Sequence, residues 1–374
     1  MLQNKIFQNF FIRICKTFLT ILLGFSLIAL TVRSVNFLEL MVDNGYPVTT
    51  YFKYSLLNVF GIIPKFIPFS FLITLIIFIS KNNEDNELLI LWTSGVKKIT
   101  ITNFLLIVSI LIVFLTLLFS IILTPYALNK SRDSLKKENF NSFLPTIRSQ
   151  QFSDSFKGFT FFVEKKFKDE MQNIFIHDKG NNLKNLVPNS KTENETIILA
   201  QKGLVNKKNL FLVNGQIISK KKNNENEIIK FDQLKVSLDD LVTSTIKAQK
   251  IQETPTSKLL SCFLNKIEKY ENYCNENIKK EIISTLNRRI TLPFYIPLIT
   301  LICALLLIRS EKIYFKKYMV YAYGFFIILF TELGVRYTGI SLLANYIFIL
   351  LPGTLFMFLY FFIFSKFSNE LKKL

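Results

Sequence analysis

Six long apolar stretches constrain this chain more than any other feature of its sequence. Each is long enough to cross a bilayer, which requires roughly 20 residues in a helix. A mostly polar insert, residues 125–288, separates the third stretch from the fourth. We predict spans at Phe10–Val32, Asn58–Ser80, Ile99–Thr124, Ile290–Ile308, Tyr318–Leu333 and Leu342–Phe364. This is the pattern of a membrane helical protein with three spans, an inserted domain and three further spans.

The composition agrees with that pattern and excludes two classes of protein. Half of the 374 residues are hydrophobic, and 39 of them are Phe, which excludes a disordered chain and disfavours a purely soluble enzyme. The net charge of +19 raises the question of nucleic-acid binding. The insert, residues 125–288, holds 28 basic and 19 acidic residues, so only +9 of that charge. Its basic residues lack the interleaved aromatic residues that stack on bases, and we expect no nucleic-acid partner.

The distribution of Lys and Arg around the spans predicts the orientation, because basic residues favour the cytoplasmic side. The loops on one side contain only Arg33, Lys53 and Arg336. The other side is much more basic: Lys5, Arg13, Lys16, Lys81, Lys97, Lys98, Arg309, Lys312, Lys316, Lys317, Lys366, Lys372 and Lys373. We therefore expect both termini in the cytoplasm and the insert in the periplasm of a Gram-negative cell, with the spans in the inner membrane.

Short β-branched and aromatic runs between polar clusters indicate that the insert is an all-β domain. Five or more strands at this spacing are typical of a sandwich or an open barrel. The pair Asn214-Gly215 predicts a tight hairpin between two strands. A helical segment, Ser257–Asn287, then leads back to the membrane. The predicted strands are Gly158–Glu164, Asn173–His177, Thr196–Ala200, Leu210–Ser219 and Glu227–Leu238.

The sequence offers little for catalysis or for a cofactor. Its one histidine, His177, falls at the end of a predicted strand and is more typical of a surface turn than of a general base. No nucleotide-binding or metal-binding motif is present. Cys262 and Cys274 are twelve residues apart, too far along one helix to bridge. We expect no enzyme activity, no cofactor and no metal, so a partner would have to supply energy for any work.

The segment between spans two and three has an acidic start and an apolar continuation. Glu87 suits the N-terminus of a short helix, and Gly95 suits its end. Two interpretations remain open from the residues alone. One is an amphipathic interfacial helix with Trp92 at the level of the headgroups. The other is a coupling helix, about residues 84–95, that docks into a cytoplasmic partner.

Ionisable residues near the outer ends of the spans also allow two interpretations. Arg33, Glu39, Glu332 and Arg336 could snorkel to the interface, or the cations could meet an anionic lipid headgroup. Lys65, between Pro64 and Pro68, faces a cavity or lies near the outer surface. The run Asn287-Arg288-Arg289, followed by Pro293 and Pro297, predicts an irregular start of span four. The prolines loosen the backbone ladder there.

Four motifs occur in order along the chain: Val42-Asp43 with Pro47, Glu87-Leu88 with Ser94-Gly95-Val96, Thr124-Pro125, and Thr285–Pro293. Their order within this topology resembles the LptF/LptG (YjgP/YjgQ) family of lipopolysaccharide-export permeases, over essentially the whole chain. Gln151-Phe152, Gly158–Glu164 and the Leu-Asn-Arg-Arg-Ile-Thr run are more similar to LptF than to LptG.

The resemblance implies a fold, partners and a mechanism. The insert would be a periplasmic β-jellyroll, and the chain would pair with a paralogous permease (LptG, if this chain is LptF). Two copies of the ATPase LptB would drive the pair to extract lipopolysaccharide from the inner membrane. The lipid would pass to the bridge proteins LptC and LptA. The implied domains are residues 1–124, 125–256, 257–287 and 288–374.

The resemblance also implies site residues in this chain. Glu87 would meet a basic residue of the ATPase, and Arg33 and Arg336 would lie near the lipid headgroup. The family pattern favours a second cation at position 36, where this chain has Asn36. The ATPase-coupling residues would be Glu84, Glu87, Leu88, Trp92 and Gly95. Apolar inward positions would line the jellyroll, and the candidates are Phe161, Val163, Phe211 and Val213, although the phase of their strands stays open.

Two other classes remain as alternatives. One is an ABC permease of the MacB/FtsX kind, which transmits ATP energy without moving lipid and usually has four spans with the insert after the first. The other is a membrane scaffold that anchors a periplasmic β-domain without transport, which would not need an acidic coupling helix. The number of spans distinguishes the first alternative, and the effect of replacing Glu87 distinguishes the second.

Overall fold

The chain forms two compact units in a computed structural model. The helical unit comprises Met1–Thr31, Asn58–Asn129 and Gln249–Leu374, and the β unit comprises Val32–Leu57 and Lys130–Ala248. The structure describes residues 2–38, 41, 46–138, 148–156, 158–167, 170–179, 196–206, 209–220, 226–237, 250–264, 276–308 and 313–371. The statements below concern those residues.

Ten α-helices are described, and several continue into short π- or 3₁₀-helical turns. The helices are α1 (Leu2–Phe37), α2 (Val48–Glu84), α3 (Glu87–Thr93), α4 (Lys98–Leu118), α5 (Thr124–Glu138), α6 (Thr256–Phe263), α7 (Glu276–Leu286), α8 (Ile296–Ala304), α9 (Ile313–Thr338) and α10 (Leu342–Leu371). The π turns are Phe119–Leu123 and Asn287–Thr291, and the 3₁₀ turns are Ile251–Glu253, Leu292–Tyr295 and Leu305–Leu307.

Six helical segments of the described chain are long and apolar enough to span a membrane, which confirms the prediction of six spans. Each helix continues beyond its apolar stretch into polar residues on one or both sides. The segments, called spans one to six, are Lys5–Phe37, Val48–Glu84, Lys98–Leu135, Ile278–Leu307, Lys317–Thr338 and Leu342–Glu370.

The predicted helical segment Ser257–Asn287 is not one described helix. Helix α6 ends at Phe263, α7 begins at Glu276, and residues 265–275 between them lie outside the described part of the chain. Cys262, at the end of α6, is disulfide-bonded, whereas Cys15 and Cys303 are free thiols. The sequence argument that Cys262 and Cys274 cannot bridge within one helix therefore loses its premise. It assumed a continuous helix, and α6 ends one residue after the cysteine. Cys274 lies outside the described residues.

Three of the six prolines inside the spans, Pro64, Pro293 and Pro352, show how such residues are accommodated. Proline has no N–H, so the carbonyl group four residues before it loses its usual helical donor. In each case a hydroxyl group from another helix supplies the missing hydrogen bond. Four residues before Pro64, the Phe60 carbonyl accepts a bond of 2.7 Å from the Thr124 hydroxyl. The equivalent carbonyls are those of Arg289 before Pro293, which accepts from Ser120 at 2.8 Å, and Phe348 before Pro352, which accepts from Tyr295 at 2.8 Å.

These three proline–hydroxyl braces tie the helices of the helical unit together. No water is present in the hydrocarbon region to satisfy a carbonyl group, so a side-chain donor is required there. Around the braces, the apolar core packs α2 against α4 and α8. Its fully buried members include Phe71, Leu75, Leu105, Ile296 and Leu301.

The β unit contains one antiparallel sheet of six described strands, in the order β1-β2-β3-β4-β5-β6. Each strand pairs with the next along the chain, which confirms that the insert is a β domain. One buried apolar cluster covers this sheet, with Phe159, Ile176, Ile198, Leu212 and Val236 among its members. The strands are β1 (Phe152–Phe156), β2 (Phe159–Phe167), β3 (Glu170–Asp178), β4 (Thr196–Asn206), β5 (Asn209–Lys220) and β6 (Asn226–Ser237).

A crease of unpaired polar positions runs across strands β2 to β6. On both sides of the crease the strands pair in the same register. At the crease itself, one residue on each of the five strands is left out of the pairing. The alternation of buried and exposed residues shifts by one there; on β4, for example, Ala200 and Gly203 are both buried. The five omitted positions are Glu164, Asn173, Gln201, Asn214 and Asp232.

The crease explains why the predicted hairpin at Asn214-Gly215 is wrong. Both residues lie in the middle of β5, which continues from Asn209 to Lys220. Asn214 does adopt a left-handed backbone conformation, with φ of 52°, which Asn tolerates better than most residues. Gly215 is needed for space, because a Cβ atom there would lie 2.3 Å from the Leu199 carbonyl oxygen and 2.5 Å from the Phe231 ring. The same residue types that favour a turn therefore form the crease.

Candidate functional site

The short helix α3 lies between spans two and three, and left-handed residues bound it at both ends. Asn86, just before the helix, has φ of 57°, and Gly95, just after it, has φ of 90°. The Val96 N–H donates to the Leu91 carbonyl at 3.0 Å, and the Gly95 N–H donates to the Trp92 carbonyl at 3.1 Å. This pair of bonds is a Schellman ending, so Gly95 ends the helix as the sequence predicts.

The two faces of α3 have different surroundings. Leu88 and Leu91 are buried in the core of the helical unit. Leu89 and Ile90, on the opposite face, are 53% and 63% exposed. A helix of seven residues cannot be stable alone, so the two buried leucines hold it in place. What remains outside is a small apolar surface with a carboxylate at its N-terminal edge.

That carboxylate belongs to Glu87, which contacts Arg13 of span one. Nη1 of Arg13 lies 2.9 Å from both carboxylate oxygens of Glu87. The same nitrogen lies 3.5 Å from Oδ1 of the buried Asn82, near the end of α2. The pair closes one side of a groove of about 340 Å³ that runs between α1 and α3. The groove is also lined by Lys5, Ile6, Asn9, Phe10, Ile90 and Leu91.

Trp92 lies on the side of α3 away from that groove and packs against the core. The Nζ atom of Lys98 lies 4.7 Å from the centre of the Trp92 ring and 2.6 Å from Oε2 of Glu370 in span six. A cation between a ring and a carboxylate fixes the start of α4 against the end of α10. Trp92 therefore contributes to the packing of the helical unit at its α3 end. The accessible apolar face of α3 is formed by Leu89 and Ile90.

Glu84 occupies the last position of α2 and is directed toward span five. Its Oε1 atom lies 3.8 Å from Nζ of Lys317. Ion pairs thus connect the α3 end of the helical unit to span one through Arg13, to span five through Lys317, and to span six through Glu370. The pairs of Arg13 and Lys317 are partly exposed, and such pairs each contribute little to stability, so their value here is in fixing positions.

The cations expected near a lipid headgroup, Arg33 and Arg336, have exposed side chains. Neither makes a hydrogen bond or an ion pair with another described residue. Arg33 belongs to the β unit and Arg336 to the helical unit. Glu332 pairs with Arg288, with 3.0 Å between Nη2 and Oε2. Glu39 lies outside the described residues.

Arg289 is a functional candidate that the sequence points to only through its place in the Asn287-Arg288-Arg289 run. It is 4% exposed, and the described residues provide no carboxylate within ion-pair distance. Its guanidinium group donates to the carbonyls of Gln252 and Thr254 at 2.8 and 3.0 Å, and to the Thr256 hydroxyl at 2.8 Å. The Thr256 hydroxyl donates in turn to the Ile121 carbonyl at 3.0 Å. Arg289 therefore clamps residues 252–256 onto the π turn Asn287–Thr291 of span four.

The residues expected to line the β-domain divide into two groups. Phe161 and Val163 of β2 belong to the buried cluster. On β5 the buried positions are Leu210 and Leu212, whereas Phe211 is 38% exposed and Val213 is half-buried. The buried positions on β5 are therefore one residue out of step with the candidates Phe211 and Val213. The run Leu210–Val213 is continuously apolar, so the residues on both faces of the strand are apolar. The sequence therefore gives no indication of which face is buried.

These features define a class: a multi-pass membrane protein with six spans, a β domain inserted after the third span, and a short helix with an exposed apolar face between spans two and three. The family described as lipopolysaccharide export system permease LptF/LptG matches residues 10–366, nearly the whole chain. The chain therefore belongs to the LptF/LptG family of lipopolysaccharide-export permeases. A comparison with individually curated proteins finds no match.

Proposed function

We propose that this chain is one of the two permease subunits, of the LptF type, in an ABC transporter that extracts lipopolysaccharide from the inner membrane. A paralogous permease of the LptG type forms the second half, and a dimer of the ATPase LptB supplies the energy. The lipid leaves through the β domain to the bridge proteins LptC and LptA. Family membership supports the general role, and the partners and route are our inference.

The observation that carries the proposal is the geometry of α3. Two leucines anchor the helix, Leu89 and Ile90 leave an apolar patch exposed, and Glu87 adds a negative charge at its edge. A partner with an apolar pocket bordered by a cation would complement this surface. Because α3 also contacts span one through Arg13, a force applied to the patch reaches the membrane helices.

The proposed orientation places α3 in the cytoplasm and the β unit in the periplasm. Basic residues concentrate at the α3 end of the spans, as expected for the cytoplasmic side. The state of the cysteines supports the same orientation. Disulfide-bonded Cys262 lies beyond the opposite end, and the free thiols Cys15 and Cys303 belong to spans one and four. Disulfides form in the periplasm and are rare in the cytoplasm.

We further propose the path of the lipid. Arg33 and Arg336 are exposed cations at the outer ends of spans one and five, suited to the phosphorylated headgroup of an anionic lipid. The acyl chains need continuous shelter, since each CH₂ group removed from water contributes about 0.8 kcal/mol. The apolar interior of the β domain, where Phe161 and Val163 lie, provides such a surface.

Affinity purification of the full chain, expressed with the ATPase and the second permease, tests the coupling role. We expect Glu87→Lys, and separately the double variant Leu89→Asp/Ile90→Asp, to lose co-purified ATPase while keeping the second permease. Asp85→Lys is the matched control, because it makes the same change of charge two residues away on an exposed turn. Normal recovery of the ATPase with both test variants, together with normal lipid release, would contradict the proposal.

Labelling with a membrane-impermeant thiol reagent tests the orientation. A cysteine placed at Asp85 should react only after the inner membrane is permeabilised, whereas one placed at Lys230 on β6 should react in intact spheroplasts. The reverse pattern of labelling would place the β unit in the cytoplasm and would contradict the proposed orientation.

A further inference from the structure

Span one is held to the rest of the helical unit along one narrow stripe. Phe10, Ile14, Phe18 and Leu22 recur at every fourth position and are buried in the core. The opposite face is apolar and exposed, with Leu19, Leu23 and Leu27 among its residues. A helix packed on one stripe can rotate or slide more readily than one packed all round. Its position depends strongly on the contacts at its ends.

Arg13 provides a contact at the α3 end of span one. It is adjacent in sequence to Ile14 of the packed stripe, so its guanidinium group moves with the helix. Its partner Glu87 is likewise the residue before Leu88, which anchors α3 in the core. A displacement of α3 is therefore transmitted to span one through two adjacent buried residues and the 2.9 Å contact between Arg13 and Glu87.

The geometry of the pair leaves Glu87 able to accept a second cation. A single guanidinium nitrogen bridges both carboxylate oxygens. An ionised carboxylate offers about four lone-pair sites, so this contact leaves acceptor capacity unused. The Glu87 side chain is 33% exposed, beside the apolar patch of Leu89 and Ile90. A cation of a docked partner can therefore bind Glu87 without displacing Arg13.

We infer that Arg13 is a positioning residue that holds the Glu87 carboxylate and transmits movement of the docked coupling helix to span one. This inference rests on the proposed function, because it concerns how ATPase docking at α3 moves the membrane helices. It assigns to span one, through Arg13, a direct role in coupling. The ion pairs of Lys98 and Lys317 reach spans six and five instead.

The experiment uses the full transporter in proteoliposomes and measures lipopolysaccharide released per ATP hydrolysed. We expect Arg13→Gln to lower this ratio by about fivefold, which corresponds to about 1 kcal/mol and is the upper range for an exposed pair. Lys16→Gln is the matched control. It removes the same charge three residues away, and Lys16 is exposed and forms no ion pair with the described residues. We expect it to leave the ratio unchanged.

The charge-swapped variant Arg13→Glu/Glu87→Arg separates a specific pair from a general effect of charge. It should recover more of the ratio than either single substitution, because it restores an opposite-charge contact. The swap also changes the charge presented to the ATPase. The recovery is therefore compared at a saturating concentration of ATPase.

Each result decides the question. An unchanged ratio in Arg13→Gln beside an active wild type, or an equal loss in Lys16→Gln, would overturn the inference and leave the proposed function standing. Loss of bound ATPase in Arg13→Gln would place Arg13 in docking itself and would also overturn the inference. A wild-type complex that releases no lipid on ATP hydrolysis would instead overturn the proposed function.

Discussion

The helical unit and the β unit each contain interruptions of regular backbone hydrogen bonding, and they accommodate them differently. In the helical unit, carbonyl groups freed by Pro64, Pro293 and Pro352 accept hydrogen bonds from hydroxyl groups on other helices. In the β unit, the crease omits one paired position on each of five strands, and the chain accommodates it with polar residues of its own. The helical unit therefore relies on hydrogen bonds between helices, whereas the β unit relies on polar residues at the crease itself.

The difference follows from the solvent around each interruption. The crease positions are exposed or half-buried, so water can satisfy their backbone groups. Asn173 and Asn214 take left-handed conformations there, and the Asn173 side chain donates to Glu164 at 2.6 Å across the strands. In the hydrocarbon region, an unsatisfied carbonyl costs several kcal/mol, so each freed group needs a protein donor. The predictions below test this contrast, from the largest expected effect to the smallest.

Arg289→Met tests the buried arginine clamp of the helical unit. We expect the free energy of unfolding to fall by about 2–4 kcal/mol, because two carbonyls and a hydroxyl lose a charged donor inside the protein. The measurement is unfolding of the full chain by sodium dodecyl sulfate in mixed micelles. Arg288→Met is the matched control at the next position. Its half-exposed pair with Glu332 should contribute less than about 1 kcal/mol.

Equal losses for the two arginine variants would contradict the clamp. They would mean that residues 252–256 find other donors, and that burial of Arg289 is incidental to its hydrogen bonds.

Asn214→Val tests whether the crease depends on residue type. A β-branched side chain in a left-handed conformation costs about 1–2 kcal/mol, and Asn214→Gly removes that cost. Amide hydrogen exchange of β4, β5 and β6 in the full chain measures the change. We expect faster exchange in the Val variant and nearly unchanged exchange in the Gly variant. Similar protection in both variants would remove the distinction drawn between the two units.

Thr124→Val tests a proline–hydroxyl brace directly. The loss should be about 0.6–1.7 kcal/mol, from the average to the maximum measured for hydrogen bonds between membrane helices by double-mutant cycles. Thr124→Ser keeps the hydroxyl group and should restore most of it. The sharper measurement is the same substitution in a Pro64→Ala background. There residue 64 regains an N–H for the Phe60 carbonyl, so the effect of Thr124→Val should shrink. Strict additivity of the two changes would show that the brace does not serve Pro64.

Lys98→Gln should have the smallest effect, below about 1 kcal/mol, because the Lys98–Glu370 pair lies near the end of the helical unit. Lys97→Gln, at the exposed neighbouring position, is the control and should have no effect. The two variants are compared by their midpoints of thermal unfolding in detergent. A loss as large as that of Thr124→Val would mean that ion pairs, and not only braces, stabilise this unit.

Much of the architecture could be predicted from the sequence, because apolar runs of span length and alternating β-branched runs are local patterns. The six spans, the β insert and the Gly95 stop of α3 all follow from such patterns. The wrong prediction of a hairpin has a physical cause. Asn214-Gly215 favours a hairpin and also fits a crease, and only pairing with both β4 and β6 decides between them. The phase on β5, which the sequence leaves open, likewise depends on where the crease interrupts that strand.

The candidate site could be predicted only in part, because sequence patterns are local and some of its residues are far apart in the chain. Glu87, Leu88 and Gly95 lie within one short segment, so their proximity follows from the sequence. Arg13 is 74 residues from Glu87, and no pattern in the chain links the two. Arg289 is indistinguishable from Arg288 in sequence, yet one is buried and clamps residues 252–256 while the other pairs with Glu332 at a half-exposed position.

The sequence by itself determined which segments are apolar enough to be buried, namely six spans and the strands of one β insert. It also determined the basic excess at one end of the spans. Hydrophobic burial and charge distribution are properties of composition and period, so no tertiary contact is needed to predict them. Only the tertiary structure decided which hydroxyl serves which proline, which arginine is buried, and which cation contacts Glu87. Those choices depend on side chains distant in sequence meeting at hydrogen-bond distance, and packing alone fixes such meetings.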